Sequence, residues 1–292
     1  MGDKSAIEWT DATWNPVTGC SKVSPGCAYC YAETLSQRFG TTSRPWTRAN
    51  AAQNVALHRE RLQLPLRWRQ PRMVFVNSMS DLFHELVPQS FVSEVWGTMA
   101  MAPQHTFQIL TKRPERMPAI VGAMVELYGV LDNVWVGTSI ENSRWVHRAE
   151  WLRATPAAVR FISAEPLLGP LDKLDLRGIN WLIAGGESSG PRRRALVTAT
   201  NGHSTQPKGE AIEWVRQLRD RCQREGIAFF FKQWGGRTPK AGGRELDGRT
   251  WDDMPAGLTR ETGRSHLSTS PSGPDVLPRS DRLPRAARAS AP

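Results

Sequence analysis

Short unbroken apolar runs alternate with longer amphipathic ones along most of this chain. The short runs are Met73-Val74-Phe75-Val76, Thr106-Phe107-Gln108-Ile109-Leu110, Val134-Trp135-Val136-Gly137, Val159-Arg160-Phe161-Ile162, Trp181-Leu182-Ile183-Ala184 and Ile227-Ala228-Phe229-Phe230-Phe231. They are rich in β-branched and aromatic residues and mostly lack polar alternation, as strands buried on both faces do. Between them, apolar residues at helical spacing predict helices from Gln89 to Met101, Pro114 to Leu127, up to Leu152, and Glu210 to Glu225. With one more strand ending near Thr18, the chain reads as about seven βα units. The fold class this predicts is α/β, a full or partial (β/α) barrel of the TIM type. A doubly wound open sheet gives a similar string and is the alternative.

Other stretches depart from the repeat. Tyr31 to Phe39 reads as a helix, and so does Arg48 to Leu64, where Val55, Leu57, Leu62 and Leu64 are spaced periodically. Residues 242–251 read as a hairpin turning at Asp247-Gly248. Ser189 to Gly209, with Arg192-Arg193-Arg194, is a polar, basic insertion between a strand and its helix, expected to be a mobile loop. From Thr259 to Pro292 the chain is dominated by Ser, Pro, Arg and Ala without periodicity. The expected organisation is therefore a barrel-like domain over 1–258, with a cysteine loop at 19–31, and a disordered basic tail over 259–292.

Polar and charged residues follow the apolar runs directly. In parallel α/β folds the carboxyl ends of the strands open on one face, so Cys20, Ser78, Asp81, Thr111, Lys112, Ser139, Glu141, Glu165, Glu187, Lys232 and Gln233 should converge there. Loop polarity in general needs only contact with water; carboxylates set immediately after apolar runs, at Glu165 and Glu187, point further, to a site. Gly185-Gly186 would let backbone approach a ligand closely, with Glu187 free to hold an ammonium group. Trp14, Trp234 and Trp251 flank polar turns, where they could stack on a planar ligand or simply pack.

The most specific feature is Cys20, Cys27 and Cys30, spaced C-x6-C-x2-C where the first strand gives way to a helix. An odd number of thiols cannot pair fully among themselves, and three on one loop suit a soft metal centre. Zinc normally takes four protein ligands. Here the fourth cysteine, Cys222, lies in a helical run as a buried structural thiol would, and His58 and His84 are distant in sequence. Three thiols suit a 4Fe-4S cluster with one iron left open; structural zinc is the alternative.

A net charge of +10 points to an anionic partner, with nucleic acid the obvious candidate. The first residues carry no apolar run of signal-peptide length, and nothing approaches a membrane span, so a cytoplasmic, reducing location without membrane contact is expected.

Several blocks together resemble phage-associated three-cysteine-motif proteins of unassigned activity. They are Ile7-Glu8-Trp9-Thr10 through Thr13-Trp14-Asn15-Pro16, the cysteines with Tyr31-Ala32-Glu33, residues 75–83, residues 110–114, residues 136–139, residues 162–167, Gly185-Gly186-Glu187-Ser188 and residues 230–235. That family is in turn similar to radical S-adenosylmethionine (radical SAM) enzymes, in which three cysteines hold a four-iron cluster inside an α/β barrel and SAM completes the open iron. The resemblance implies Cys20, Cys27 and Cys30 as cluster ligands. It implies a radical-SAM-like enzyme acting on nucleic acid or a nucleotide, with a partner protein also conceivable. Lys112, Glu165 and Lys232 are then the catalytic candidates; Ser78, Asp81, Ser139, Gly185, Gly186 and Glu187 are the cofactor-binding ones. Two departures stand out: the radical SAM loop is C-x3-C-x2-C, and its Gly-Gly-Glu follows an early strand, whereas here it follows a late one. The alternative function is a nucleic-acid binder built on structural zinc.

Overall fold

The structure, a computed structural model, describes residues 5–187, 194, 196–200, 204–236 and 241–255. Seven parallel strands form one sheet: β1 (Ala12–Trp14), β2 (Met73–Val76), β3 (Thr106–Thr111), β4 (Val134–Ser139), β5 (Val159–Ala164), β6 (Trp181–Gly185) and β7 (Ala228–Gln233). They are hydrogen bonded strictly in chain order. A doubly wound sheet would reverse its order midway, so that alternative is excluded. The helices that follow β2 pack against one face of the sheet, which curls into a half-barrel with β1 and β7 left as unjoined edges.

The helices are α1 (Tyr31–Arg38), α2 (Gln89–Ala100), α3 (Met117–Tyr128), α4 (Arg148–Ala154) and α5 (Gly209–Glu225). Successive strand residues point to opposite faces, which sorts the apolar side chains into two cores. The convex face carries Val74, Phe107, Val136, Ile162, Leu182 and Phe231 against the helices. The concave face carries Phe75, Trp135, Phe161, Trp181 and Phe230, packed around Trp9. Trp9 closes this inner core with ring centroids 4.8 Å from Phe75 and 6.1 Å from Trp181. Both faces are buried, which is why the strands read as unbroken apolar runs.

Three expectations need correction. Arg48 to Leu64 is not one helix: a 3-10 turn at Arg48–Asn50, one helical turn at Ala51–Asn54 and another 3-10 turn at Arg59–Arg61 are separated by a short strand, Ala56–Leu57. That strand pairs antiparallel with Val17–Thr18. Asn54 Nδ2 donates to the carbonyls of Arg44 and Pro45, and His58 N donates to Pro16 O. Side-chain-to-backbone bonds of this kind compete with helix continuation. Within the insertion, Val197–Thr200 and Ser204–Pro207 form an antiparallel ladder, so those residues are not an irregular loop. The rest of the triple-arginine stretch except Arg194, and the tail at 259–292, lie outside the described residues. The third correction concerns the tryptophans. Trp14, Trp234 and Trp251 are buried, with their indole nitrogens donating to Arg61 O, Glu245 O and Leu246 O, so they are packing residues and not stacking platforms. The turn at Asp247-Gly248 forms as read: both residues have positive φ (55° and 76°) and the Leu246–Arg249 bridge closes it.

Candidate active site at the strand carboxyl ends

A cavity of about 230 Å³ opens at the carboxyl end of the half-barrel. All three loop cysteines line it. So do Ser78 and Asp81 after β2, Lys112 after β3, Ser139 at the end of β4, Glu165 after β5, Gly186 and Glu187 after β6, and Lys232 on β7. Gly185 sits just below this wall, where an added Cβ would touch Lys232 and Glu165. Residues spread over more than two hundred positions are thus brought together by strand order alone.

The cysteine loop is held at several points. Near its start, Arg113, 3% exposed, donates from Nη1 to Cys20 Sγ at 3.5 Å and from Nη2 to both Ser21 O and Ser21 Oγ at 2.9 Å. Arg113 is itself clamped by Asp81 at 3.4 Å and Glu85 at 3.0 Å. Ser21 Oγ is also hydrogen bonded to His84 Nε2 at 2.9 Å. A histidine therefore does stand beside the loop, although sixty-three residues separate the pair. Further along, Ser24 Oγ donates to Glu141, and Gly26 passes so close that an added Cβ would fall 2.4 Å from that carboxylate. Glu141 is fully buried and paired with Arg148 at 3.0 Å, whose guanidinium also lies 4.1 Å from the Trp145 ring. Lys22 pairs with Glu33 at 2.7 Å, and Glu33 accepts the Trp46 amide at 2.8 Å.

The three thiols are free, and their environments differ. Burial pushes Cys20 up to about 12, with Asp81 adding and Arg113 opposing. Burial also raises Cys30, while the amides of Glu33 and Ala32 at the start of α1, together with Lys112, pull the other way. The nearby Cys27 adds a smaller upward contribution to both. Among the described residues, no three His, Cys, Asp or Glu side chains converge as a ligand set for one metal ion. Tetrahedral zinc, with Zn–S bonds of about 2.3 Å, requires such convergence. A four-iron cluster does not, because each thiolate takes a different iron. All three thiols line the cavity, where a cluster would be held by one thiolate per iron.

The remaining lining residues divide into occupied and available groups. Both oxygens of Asp81 are committed, accepting from Thr111 Oγ1, Phe83 N, Lys112 N and Arg113 Nη1. Ser78 Oγ is tied to the Asn15 amide at 3.2 Å. Lys232 is paired with Glu165 at 2.5 Å. By contrast, among the described residues Lys112 Nζ meets only a neutral hydrogen-bond partner, Ser139 Oγ, at 3.0 Å. Glu187 is 6% exposed; its Oε1 accepts from Arg194 at 2.9 Å, whereas its Oε2 is buried without a partner among the described residues. Burial raises the Glu187 pKa, with Arg194 opposing. Arg194 also donates to Pro25 O and stacks on Tyr29, 4.9 Å from the ring centroid. Arg113 and Arg148, which hold the cysteine loop and Glu141 in place, were not singled out by linear reading, and Arg194 was read only as part of a basic insertion. For Glu141 a signal existed, a carboxylate just past a strand, but its buried partner did not announce itself.

Gly186 meets the strand end so tightly that a Cβ there would lie 2.0 Å from the Trp234 carbonyl oxygen. Gly186→Ala is expected to cost about 1–3 kcal/mol of stability by overpacking. Gly122→Ala, on α3 with open space around it, should be neutral or stabilising by about 0.5–1 kcal/mol. Denaturant titration of the two variants checks this.

Among the described residues no helix is long and apolar enough to cross a membrane. No curated protein matches the chain. Among solved structures it is similar to a cysteine-to-serine mutant of spore photoproduct lyase, at 13% identity over 80% of this chain and 78% of that one, with a TM-score of 0.49. It is also similar to spore photoproduct lyase complexed with dinucleoside spore photoproduct, at 13% identity over 74% of each chain, with a TM-score of 0.46. The model of DUF5131, described as a protein of unknown function, matches residues 4–255, and the chain belongs to that family.

Proposed function

We propose that this protein is an iron–sulfur enzyme of radical SAM type acting on a nucleic-acid base or nucleotide, with Cys20, Cys27 and Cys30 as ligands of a 4Fe-4S cluster. The observation that carries the reading is that all three thiols line the same cavity at the strand carboxyl ends as Glu187, whose Oε2 is buried without a hydrogen-bond partner among the described residues. Bound there, the cluster with SAM would supply one-electron chemistry that side chains cannot perform. The protein's own part is to bind, orient and exclude water. Glu187 Oε2 is an acceptor for an ammonium group, such as that of an amino-acid cofactor. Lys112, lacking a carboxylate partner, is the residue to hold an anionic group. The Lys232–Glu165 pair presents one donor and one acceptor to a polar substrate edge. Arg113 supports Cys20 from behind and holds it in place as a positioning residue.

Anaerobic isolation with iron reconstitution tests this directly. The expected product is a brown protein with about four iron atoms and matching acid-labile sulfide per chain. Reduction in the presence of SAM should release 5′-deoxyadenosine. A colourless protein holding one zinc overturns the reading in favour of structural zinc.

A further inference from the structure

We infer that a single strand of nucleic acid docks along the outer face of α1 and the segment beside it, with one unstacked base entering the cavity. The inference deepens the proposed function and rests on its reading of the cavity as the reaction site. Three independent observations carry it.

The first is an electrostatic gap. From Thr34 to Arg59 the chain contains no Asp or Glu, while Arg38, Arg44 and Arg48 are exposed and form no ion pair with any described residue. The nearest carboxylate, Glu33, is buried and already engaged by Lys22 and the Trp46 amide. Arg59, Arg113, Arg148, Arg216 and Arg219 each have a carboxylate partner, whereas these three in eleven positions have none among the described residues and form a strip suited to phosphates.

The second is geometry. Tyr31, Thr34 and Arg38 are exposed at i, i+3 and i+7 of α1, one continuous ridge leading away from the cavity mouth. The segment after α1 runs back along it: Thr42 N donates to Ser36 O, and Trp46 N donates to Glu33. Arg44 lies between these two anchors, and Trp46 reaches the cavity wall. From Tyr31 to Arg38 is about 10 Å at helical rise, a length that spans more than one nucleotide of an unstacked strand.

The third is aromatic exposure. Tyr31 lines the cavity yet is 48% exposed, and its hydroxyl donates to Ser78 O at 2.8 Å, which fixes the ring as a platform. Phe39, at the far end of the ridge, is 69% exposed and sits beside the Arg38 guanidinium. Exposed rings interleaved with unpaired arginines match unstacked bases, each of which offers a π-face. A duplex keeps its bases inside the stack and could not deliver one to a cavity at the bottom of a half-barrel without unpairing it.

The test is fluorescence anisotropy of labelled single-stranded and duplex oligonucleotides against the full chain across a salt series. Iron content and thermal midpoint are read on the same preparations. The expected result is tighter binding of the single strand. The triple variant Arg38→Gln, Arg44→Gln, Arg48→Gln should weaken it at least tenfold and flatten the log–log salt slope by about 2, at roughly 0.7 per phosphate contact. Tyr31→Ala should weaken it about tenfold with the salt slope unchanged. If the triple variant does not retain the parental midpoint, the three single substitutions replace it. Equal binding by parent and variants, duplex bound as tightly as the single strand, or no binding at all overturns the inference. Iron loss in the parent protein would instead overturn the proposed function, and leaves the binding result to stand or fall by itself.

Discussion

Replacing Cys20, Cys27 or Cys30 by alanine is expected to reduce iron from about four atoms per chain to background and to abolish any SAM cleavage. The same substitutions should leave the iron-free protein as stable as its parent, within about 0.5 kcal/mol. The reason is positional: none of the three thiols belongs to either hydrophobic core, and the loop that carries them is anchored by its neighbours Ser21, Lys22, Ser24 and Gly26. Cys222 gives the complementary result. It is fully buried in the convex core on α5, so Cys222→Ala should cost about 1 kcal/mol and keep the full iron content. Elemental analysis and denaturant titration on the four variants give a double dissociation. Unfolding of the Cys20 variant together with loss of one zinc would identify a structural site instead.

Glu141→Ala is expected to be the most destabilising single change near the site, at about 3–5 kcal/mol. Glu141 is completely buried and Arg148 is 3% exposed, so removing the carboxylate strands a guanidinium away from water. The Trp145 ring and the Ser139 carbonyl remain as its partners, which offsets only part of the cost. Thermal melting should fall by about 6–20 °C for a domain of this size. Because Ser24 donates to Glu141 and Gly26 packs on it, the cysteine loop also loses its middle anchor, and iron loading should fall with stability. Arg177→Gln serves as the control: that arginine pairs with Asp175 in full solvent, where screening and side-chain entropy leave little net gain. Its melting point should not move. A Glu141→Ala protein as stable as the control would show that the buried pair contributes nothing.

Much of the scaffold was legible in the linear chain. Runs such as Met73–Val76 and Trp181–Gly185 announce strands because both faces are buried and no polar alternation is needed. Helices such as Gln89–Ala100 and Gly209–Glu225 announce themselves because one face is apolar at helical spacing. Between Arg48 and Leu64 the same rule misled. Val55, Leu62 and Leu64 do pack against the convex core, but from separate turns of a chain whose asparagines bond backbone locally. Periodicity records which residues face the core; it does not record whether one helix presents them. The tryptophans misled for a related reason. A ring beside polar turn residues looks accessible in one dimension, yet Trp234 and Trp251 are covered by elements that only the folded chain brings over them.

The candidate site divides the same way. The sulfur trio and the charged residues after each strand could be read from order and spacing, because strand ends share a face whatever the details of packing. Which of those groups are committed and which are available could not. Asp81 and Ser78 turn out to be tied to Arg113 and Asn15, while among the described residues Glu187 Oε2 has no partner and Lys112 has only a neutral one.

What the linear chain determined by itself was therefore the alternation of strands and helices and the chemical identity of the donors, while barrel and doubly wound strand orders both stayed open. Those are local properties, set by periodicity and by residue type. Only the tertiary structure decided that Arg113 supports Cys20 from ninety-three residues away, that Glu141 and Ser24 meet across one hundred and seventeen, and that Arg194 covers one oxygen of Glu187. Such contacts depend on how far the sheet curls and which loops it brings face to face, and no local pattern encodes that distance.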